Sequence, residues 1–151
     1  MSDSLIIIPT YNEIENIKNI VVSVLDKKDN FDVLIVDDSS PDGTSKVVED
    51  IKKDYENRLH LMIRKGKNGL GTAYIDGFKW AIKHQYDYIF EMDADFSHDP
   101  SELKRNINFF FNNSLDLHHT ISPVLSKYNA DPPLVTHGKL QKALATAIKS
   151  Y

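Results

Sequence analysis

Four short runs of branched and aliphatic residues, each stopped by a polar cluster, constrain this chain more than any other feature of it. Leu5–Ile8 is an unbroken apolar run ended by Pro9, the composition of a strand buried on both faces. Asp32–Val36 and Leu59–Ile63 repeat the pattern, and Tyr86–Met92 adds a fourth run rich in aromatic residues. Between them the period changes. Ile14, Ile17, Ile20, Val21, Val24 and Leu25 recur at helical spacing, and Asn12 with Glu15 three residues on predicts a capping box at the start of that helix. Val47, Val48, Ile51 and Tyr55 mark a second helix, and Phe78, Ala81 and Ile82 share one face of a third over about Thr72–Lys83. Strand and helix in alternation predict right-handed βαβ units, hence an α/β fold: a Rossmann-like parallel sheet with helices on both faces over residues 1–100.

Bulk composition narrows the function classes. A chain of 151 residues suits one core better than two, and 41% apolar with 26% charged residues is ordinary for a soluble globular domain. With no cysteine, disulfides and thiolate metal sites are excluded. The start of the chain has too short an apolar run for a signal peptide, and no stretch approaches the roughly 20 apolar residues of a membrane span. The expectation is a cytoplasmic protein whose membrane contact, if any, is peripheral. Residues 1–100 carry 12 basic and 19 acidic side chains, a balance of −7, against 6 and 3, or +3, in residues 101–151. An acidic first part disfavours nucleic acid as a partner, because neutralising phosphates dominates such binding.

The charge break near Pro100 coincides with a loss of pattern. Ser101 predicts a helix through about Phe111, residues 114–137 show no clean period around Asp131-Pro132-Pro133, and a last amphipathic helix is expected over Lys139–Lys149. The expected organisation is one α/β domain over 1–113 and a differently composed segment over 114–151 that is not an independent domain.

In a parallel sheet all four strand ends fall on one edge, where open α/β sheets bind ligands. Pro9-Thr10-Tyr11-Asn12-Glu13, Asp37-Asp38, the basic and Gly-rich run Arg64–Gly71, and Asp93-Ala94-Asp95 all occupy that edge. Any one of these can be a solubilising loop; four together argue for a composed site. Asp93 and Asp95, two residues apart at a strand end, can converge on one point, and two hard carboxylates suit Mg²⁺ or Mn²⁺. Taken alone, a D-x-D triplet is an ordinary turn. Tyr11 offers a flat face to a base or ribose, or simply packs, while Glu13 and Asp37 can accept from base N–H or ribose hydroxyls. Lys65 and Lys67 can meet phosphate or only solvent. His98 is a third ligand, a base, or a loop histidine with local bonds. No P-loop pattern occurs.

Ile6–Glu13, Asp37–Thr44, Gly69-Leu70-Gly71-Thr72-Ala73 with Gly77, and Asp93–Pro100 stand in an order that resembles the family 2 glycosyltransferases of the GT-A fold. Within that family they are most like the polyprenyl (dolichyl) phosphate mannosyltransferases, over about residues 5–105. The resemblance implies a sheet in the order 3-2-1-4, GDP-mannose as donor, a polyprenyl phosphate as acceptor and a divalent metal. It implies nucleotide contacts at Pro9, Tyr11, Glu13, Ile35 and Asp37, the metal and diphosphate at Asp93 and Asp95, which are also the implied catalytic residues, and Ala94 beside the donor. Family members continue into a Gly-Ser-Arg-Tyr-like segment and acceptor-binding helices. Asp116-Leu117 is followed here by His118-His119-Thr120, so the arginine that would meet the donor phosphates has no counterpart. The expectation is a truncated or frame-shifted product, with a divergent short form as the alternative.

Three functional readings follow. The first is an inverting, metal-dependent mannosyl transfer in which an already anionic lipid phosphate attacks without a strong base; a glucosyl or other hexosyl transferase of the same family is its variant. The second is a non-catalytic nucleotide-sugar-binding remnant. The third is a receiver-like phospho-acceptor, which wants its acid pair after the first strand, whereas Asp37-Asp38 follows the second.

Overall fold

The computed structural model describes residues 2–25, 31–55 and 57–95. Seven elements alternate along them: β1 (Ser4–Thr10), α1 (Ile17–Leu25), β2 (Phe31–Asp37), α2 (Thr44–Lys52), β3 (Leu59–Ile63), α3 (Leu70–Lys83) and β4 (Tyr88–Glu91). The strands form one sheet in the order β3-β2-β1-β4, with all three pairings parallel. Both the doubly covered sheet and its 3-2-1-4 order are therefore as expected. The expected helices over about 101–111 and 139–149, His98 and the boundary at 113 lie outside the described residues.

Period-two alternation sorts the strand side chains into two cores. Ile6, Ile8, Val33, Ile35 and Phe90 face α1 and α2, where Ile17, Ile20, Val21, Val24, Val48 and Ile51 meet them. Leu5, Ile7, Leu34, Val36 and Ile89 face the other way, onto Ala73, Tyr74, Phe78 and Ala81 of α3. Leu5 through Ile8 are all fully buried, which is why β1 reads as a continuous apolar run rather than an alternating one. Each such side chain contributes about 1.5–3 kcal/mol on burial. Gly77 lets α3 come this close: a Cβ there would stand 2.8 Å from Ile7 Cγ2.

Two element starts differ from expectation. The first helix begins at Ile17, and Asn12 is not its cap; Asn12 has φ +62°. The amides of Asn12, Glu13 and Ile14 donate instead to Ser40 Oγ, Thr44 Oγ1 and Asp42 Oδ2. Three successive N–H groups held by the β2–α2 loop keep this stretch out of a helix. The first helical turn is closed by Asn16 and Ile17 donating to the Glu13 carbonyl. β4 starts at Tyr88 rather than Tyr86: the Tyr86 amide donates back to the Ala81 carbonyl of α3 at 3.2 Å, and its hydroxyl turns inward to donate to Asp32 Oδ2 at 2.7 Å.

Candidate functional site at the carboxyl edge of the sheet

Register brings the ends of three strands level. Thr10 pairs with Asp37, and Asp37 with Ile63. β4 pairs as far as Ile7 with Glu91, so residues 93–95 emerge at the level of the β1 end. A cavity of about 330 Å³ opens there, large enough for a nucleotide-sized ligand. Pro9, Tyr11 and Glu13 line it from the β1 end, Asp93, Ala94 and Asp95 from the β4 end, and Gly69, Leu70 and Ala73 from the start of α3.

Each wall is held by identifiable bonds. The β1–α1 loop carries Tyr11 and Glu13 and is fixed by the three side-chain acceptors of the β2–α2 loop. Thr44 is central to that contact: it receives the Glu13 amide at 3.0 Å while its own hydroxyl donates to Asp42 Oδ1 at 2.6 Å. Burial works against ionising Asp42, but donors from the Thr44 hydroxyl, the Thr44 amide and the Ile14 amide outweigh it and hold the carboxyl below its usual value. Asp93 is oriented by Tyr74 of α3, whose hydroxyl donates to Oδ1 at 3.1 Å. The strand ends at Glu91, and Ala94 and Asp95 lie in a turn. The two carboxylates thus reach one cavity through a turn rather than along an extended strand.

Of the residues expected at the site, six meet in the cavity and two do not line it. Ile35 lies fully buried in the core under α1 and α2. Asp37 is also fully buried, its Oδ1 accepting from the Thr10 and Ser40 hydroxyls and its Oδ2 from the Ser40 amide. In this structure that carboxylate ties the end of β1 to the end of β2, and the neighbouring Asp38 lines the cavity.

Sequence reasoning placed Arg64 and the Asp42–Thr44 pair in their edge clusters without an individual role, and gave none to Tyr74. Arg64 is 7% exposed, with Nε 3.3 Å from both Asp38 Oδ1 and Asp76 Oδ2 and Nη2 donating to Thr72 Oγ1. It ties the end of β3 to the start of α3. Asp42 and Thr44 carry the spacing of an Asx turn at a helix start, so a signal was present. Tyr74 shares the helical face of Gly77, Phe78 and Ala81, and of these four it stands nearest the helix start and so the carboxyl edge of the sheet.

Carboxylates dominate the cavity: Glu13, Asp38, Asp93 and Asp95 line it, against Lys67 as the sole basic residue among the described lining residues. Among the described residues no three acidic, histidine or cysteine side chains group as a metal site. Two carboxylates still fit Mg²⁺ or Mn²⁺, which are commonly held by one or two carboxylates with phosphate and water oxygens completing the shell.

A parallel 3-2-1-4 sheet whose carboxyl edge gathers acidic residues into a nucleotide-sized cavity is the arrangement of the GT-A fold. The chain belongs to glycosyl transferase family 2, whose model matches residues 5–131. It is 46% identical over 102 residues to the polyprenol monophosphomannose synthase of Mycolicibacterium smegmatis, covering 68% of this chain and 38% of that protein. It is 46% identical over 101 residues to the undecaprenyl-phosphate mannosyltransferase of Micrococcus luteus, covering 67% and 41%. The matched part thus spans well under half the length of these relatives. Among solved structures it is similar to S. aureus TarS, with a TM-score of 0.62 at 24% identity over 77% of this chain and 34% of that one, a likeness of fold.

Proposed function

We propose that this chain binds GDP-mannose at the carboxyl edge of its sheet and serves the transfer of mannose to a polyprenyl phosphate with inversion. The observation that carries the reading is the convergence of Asp93 and Asp95 on the cavity lined by Pro9, Tyr11 and Glu13, in a chain 46% identical to two enzymes named for mannose transfer to polyprenyl phosphates.

Asp93 and Asp95 would hold Mg²⁺ or Mn²⁺, with Tyr74 fixing the orientation of Asp93. When bound, the ion supplies positive charge to the diphosphate and makes GDP a better leaving group. Pro9, Tyr11 and Glu13 bind the nucleoside, and Ala94 borders the sugar side of the cavity. Asp37 supports that wall from behind, through Thr10 and Ser40. An oxygen of the lipid phosphate forms a bond to the anomeric carbon while the bond from that carbon to the diphosphate breaks, and the electron pair leaves with GDP. The nucleophile is already largely anionic near neutral pH, so no protein base has to take a proton. Attack opposite the leaving group inverts the anomeric centre. With a lipid acceptor, the reaction belongs at a membrane surface, and we place the chain on the cytoplasmic face as a peripheral protein. Among the described residues no helix is long and apolar enough to cross a membrane.

Calorimetry with GDP and MnCl₂ tests the donor site. The unaltered chain should bind GDP in a metal-dependent way and Asp95→Ala should abolish that dependence; unchanged binding by the variant would sink the assignment. Transfer of radiolabelled mannose from GDP-mannose to a polyprenyl phosphate tests the reaction. The match covers 38% and 41% of the two relatives; binding of GDP-mannose with no lipid-linked product would restrict the reading to a donor-binding unit. Label transferred from UDP-glucose instead would move the donor to another hexose.

A further inference from the structure

Lys67 stands where a lysine of an exposed loop has no general reason to stand. Its ammonium lies 4.1 Å from the centroid of the Tyr11 ring, within the distance at which a cation is attracted to an aromatic face. The same side chain lines the cavity with Glu13, Asp38, Asp93 and Asp95.

The loop between β3 and α3 is pinned on both sides of this residue. Arg64 sits between Asp38 and Asp76. The Asn68 amide donates to Asp38 Oδ2 at 3.1 Å, and the Asn68 side chain donates back to the Lys65 and Gly66 carbonyls. Gly66 and Gly69 have φ of +76° and +91°, which an L side chain would strain. The backbone path therefore returns Lys67 toward the sheet edge, while Lys65 is not among the cavity residues.

We propose that Lys67 binds the diphosphate of the donor nucleotide, and that Tyr11 is a positioning residue that holds the Lys67 ammonium in place for it. The proposal rests on the reading of the cavity as a nucleoside-diphosphate-sugar site. Four carboxylates repel an incoming diphosphate, and one divalent ion at Asp93 and Asp95 offsets only part of that charge. Arg64 is held beside Asp38, Asp76 and Thr72 and does not line the cavity, so Lys67 supplies the basic side chain that the described walls otherwise lack. The start of α3, lined by Gly69 and Leu70, adds its positive end to the same side. A free lysine side chain samples many rotamers; ring contact restricts it before the ligand arrives. Tyr11 then acts on the phosphates through Lys67, and one of its ring faces is already covered by a cation rather than open to a base.

Calorimetry on the full chain with Mn²⁺ separates these roles, using GDP, UDP and guanosine as probes. Lys67→Met keeps the apolar stem and removes the charge. It should weaken GDP by about tenfold, the size of one charge-assisted hydrogen bond, and leave guanosine unchanged. Lys65→Met should change GDP affinity by less than twofold. Tyr11→Leu should weaken GDP, and the double variant Tyr11→Leu/Lys67→Met should lose less than the product of the two single losses. GDP binding within twofold of the original in Lys67→Met, or an equal loss for guanosine, overturns the role of Lys67 and leaves the donor site standing. If the unaltered chain binds neither GDP nor UDP, the donor-site reading fails and this inference fails with it.

Discussion

Asp93 depends on a residue outside its own strand. The Tyr74 hydroxyl, 3.1 Å from Oδ1, fixes which lone pairs of the carboxylate turn toward the cavity. Such outer partners of a ligating carboxylate are commonly worth 10–100-fold in metal affinity. Tyr74→Phe keeps the ring packed against Phe78 and removes only the donor. Mn²⁺-dependent GDP affinity should fall by about tenfold, with the thermal midpoint little changed. An unaltered metal titration would show that Asp93 needs no such support. Asp37 teaches the opposite lesson at the same scale. From sequence its carboxylate is as good a ligand as its neighbour's, but in the fold Thr10 and Ser40 consume it, and Asp38 faces the cavity.

At the scale of elements, Gly77 sets how closely α3 approaches β1. Gly77→Ala would place a methyl 2.8 Å from Ile7 Cγ2, and Ile7, on the central strand and fully buried, cannot swing away. Overpacking of this kind costs about 1–3 kcal/mol. The gain of about 1 kcal/mol from alanine in a helix offsets only part of it. The variant should unfold at lower urea than the original chain. Ile7→Ala with Gly77→Ala should cost less than the two changes summed, since one relieves the other. A raised midpoint for Gly77→Ala alone would mean that α3 moves outward freely. The elements themselves were legible: β3 is found where the sequence puts it, and β2 within one residue at each end. The start of α1 was not. Asn12 and Glu15 satisfy the local rule for a capping box, but three side chains of the β2–α2 loop, 28–31 residues away, take the amides that a helix would have used.

Across the whole molecule the two edges of the sheet have different characters. The carboxyl edge gathers the cavity-lining carboxylates, while the amino edge holds a buried polar cluster. There Tyr86 donates to Asp32, its hydroxyl lies 3.3 Å from His60 Nε2, and the His60 ring packs 4.8 Å from that of Trp80. Burial and the Asp32 carboxylate push the Tyr86 phenol above its ordinary value, so it stays a donor. Burial also lowers the pKa of His60, reinforced by Lys52 and His84 and opposed by Asp32 and the Asn57 backbone. Below about 6.5 the unfolded chain binds this proton and the folded one resists it. Stability from this group is therefore complete above that pH and lost as pH falls toward the lowered folded value. The urea midpoint should drop from pH 7.5 to 5.5, and His60→Gln should make that drop smaller. An identical drop in the variant would assign it to other groups.

The sequence by itself determined the parallel α/β sheet, its order through the family likeness, and the four polar clusters at one edge. The sheet and the clusters follow from periodicity and composition, which act over a few residues at a time; the strand order came from the likeness alone. Tertiary structure decided which members of each cluster face the cavity. It buried Asp37 and brought Asp38 to the cavity, set Tyr74 on Asp93, and carried Lys67 from a loop of its own onto the ring of Tyr11. Each of these joins residues far apart in the chain, and the competition between partners for one carboxylate, one amide or one ring face is settled only when the elements pack.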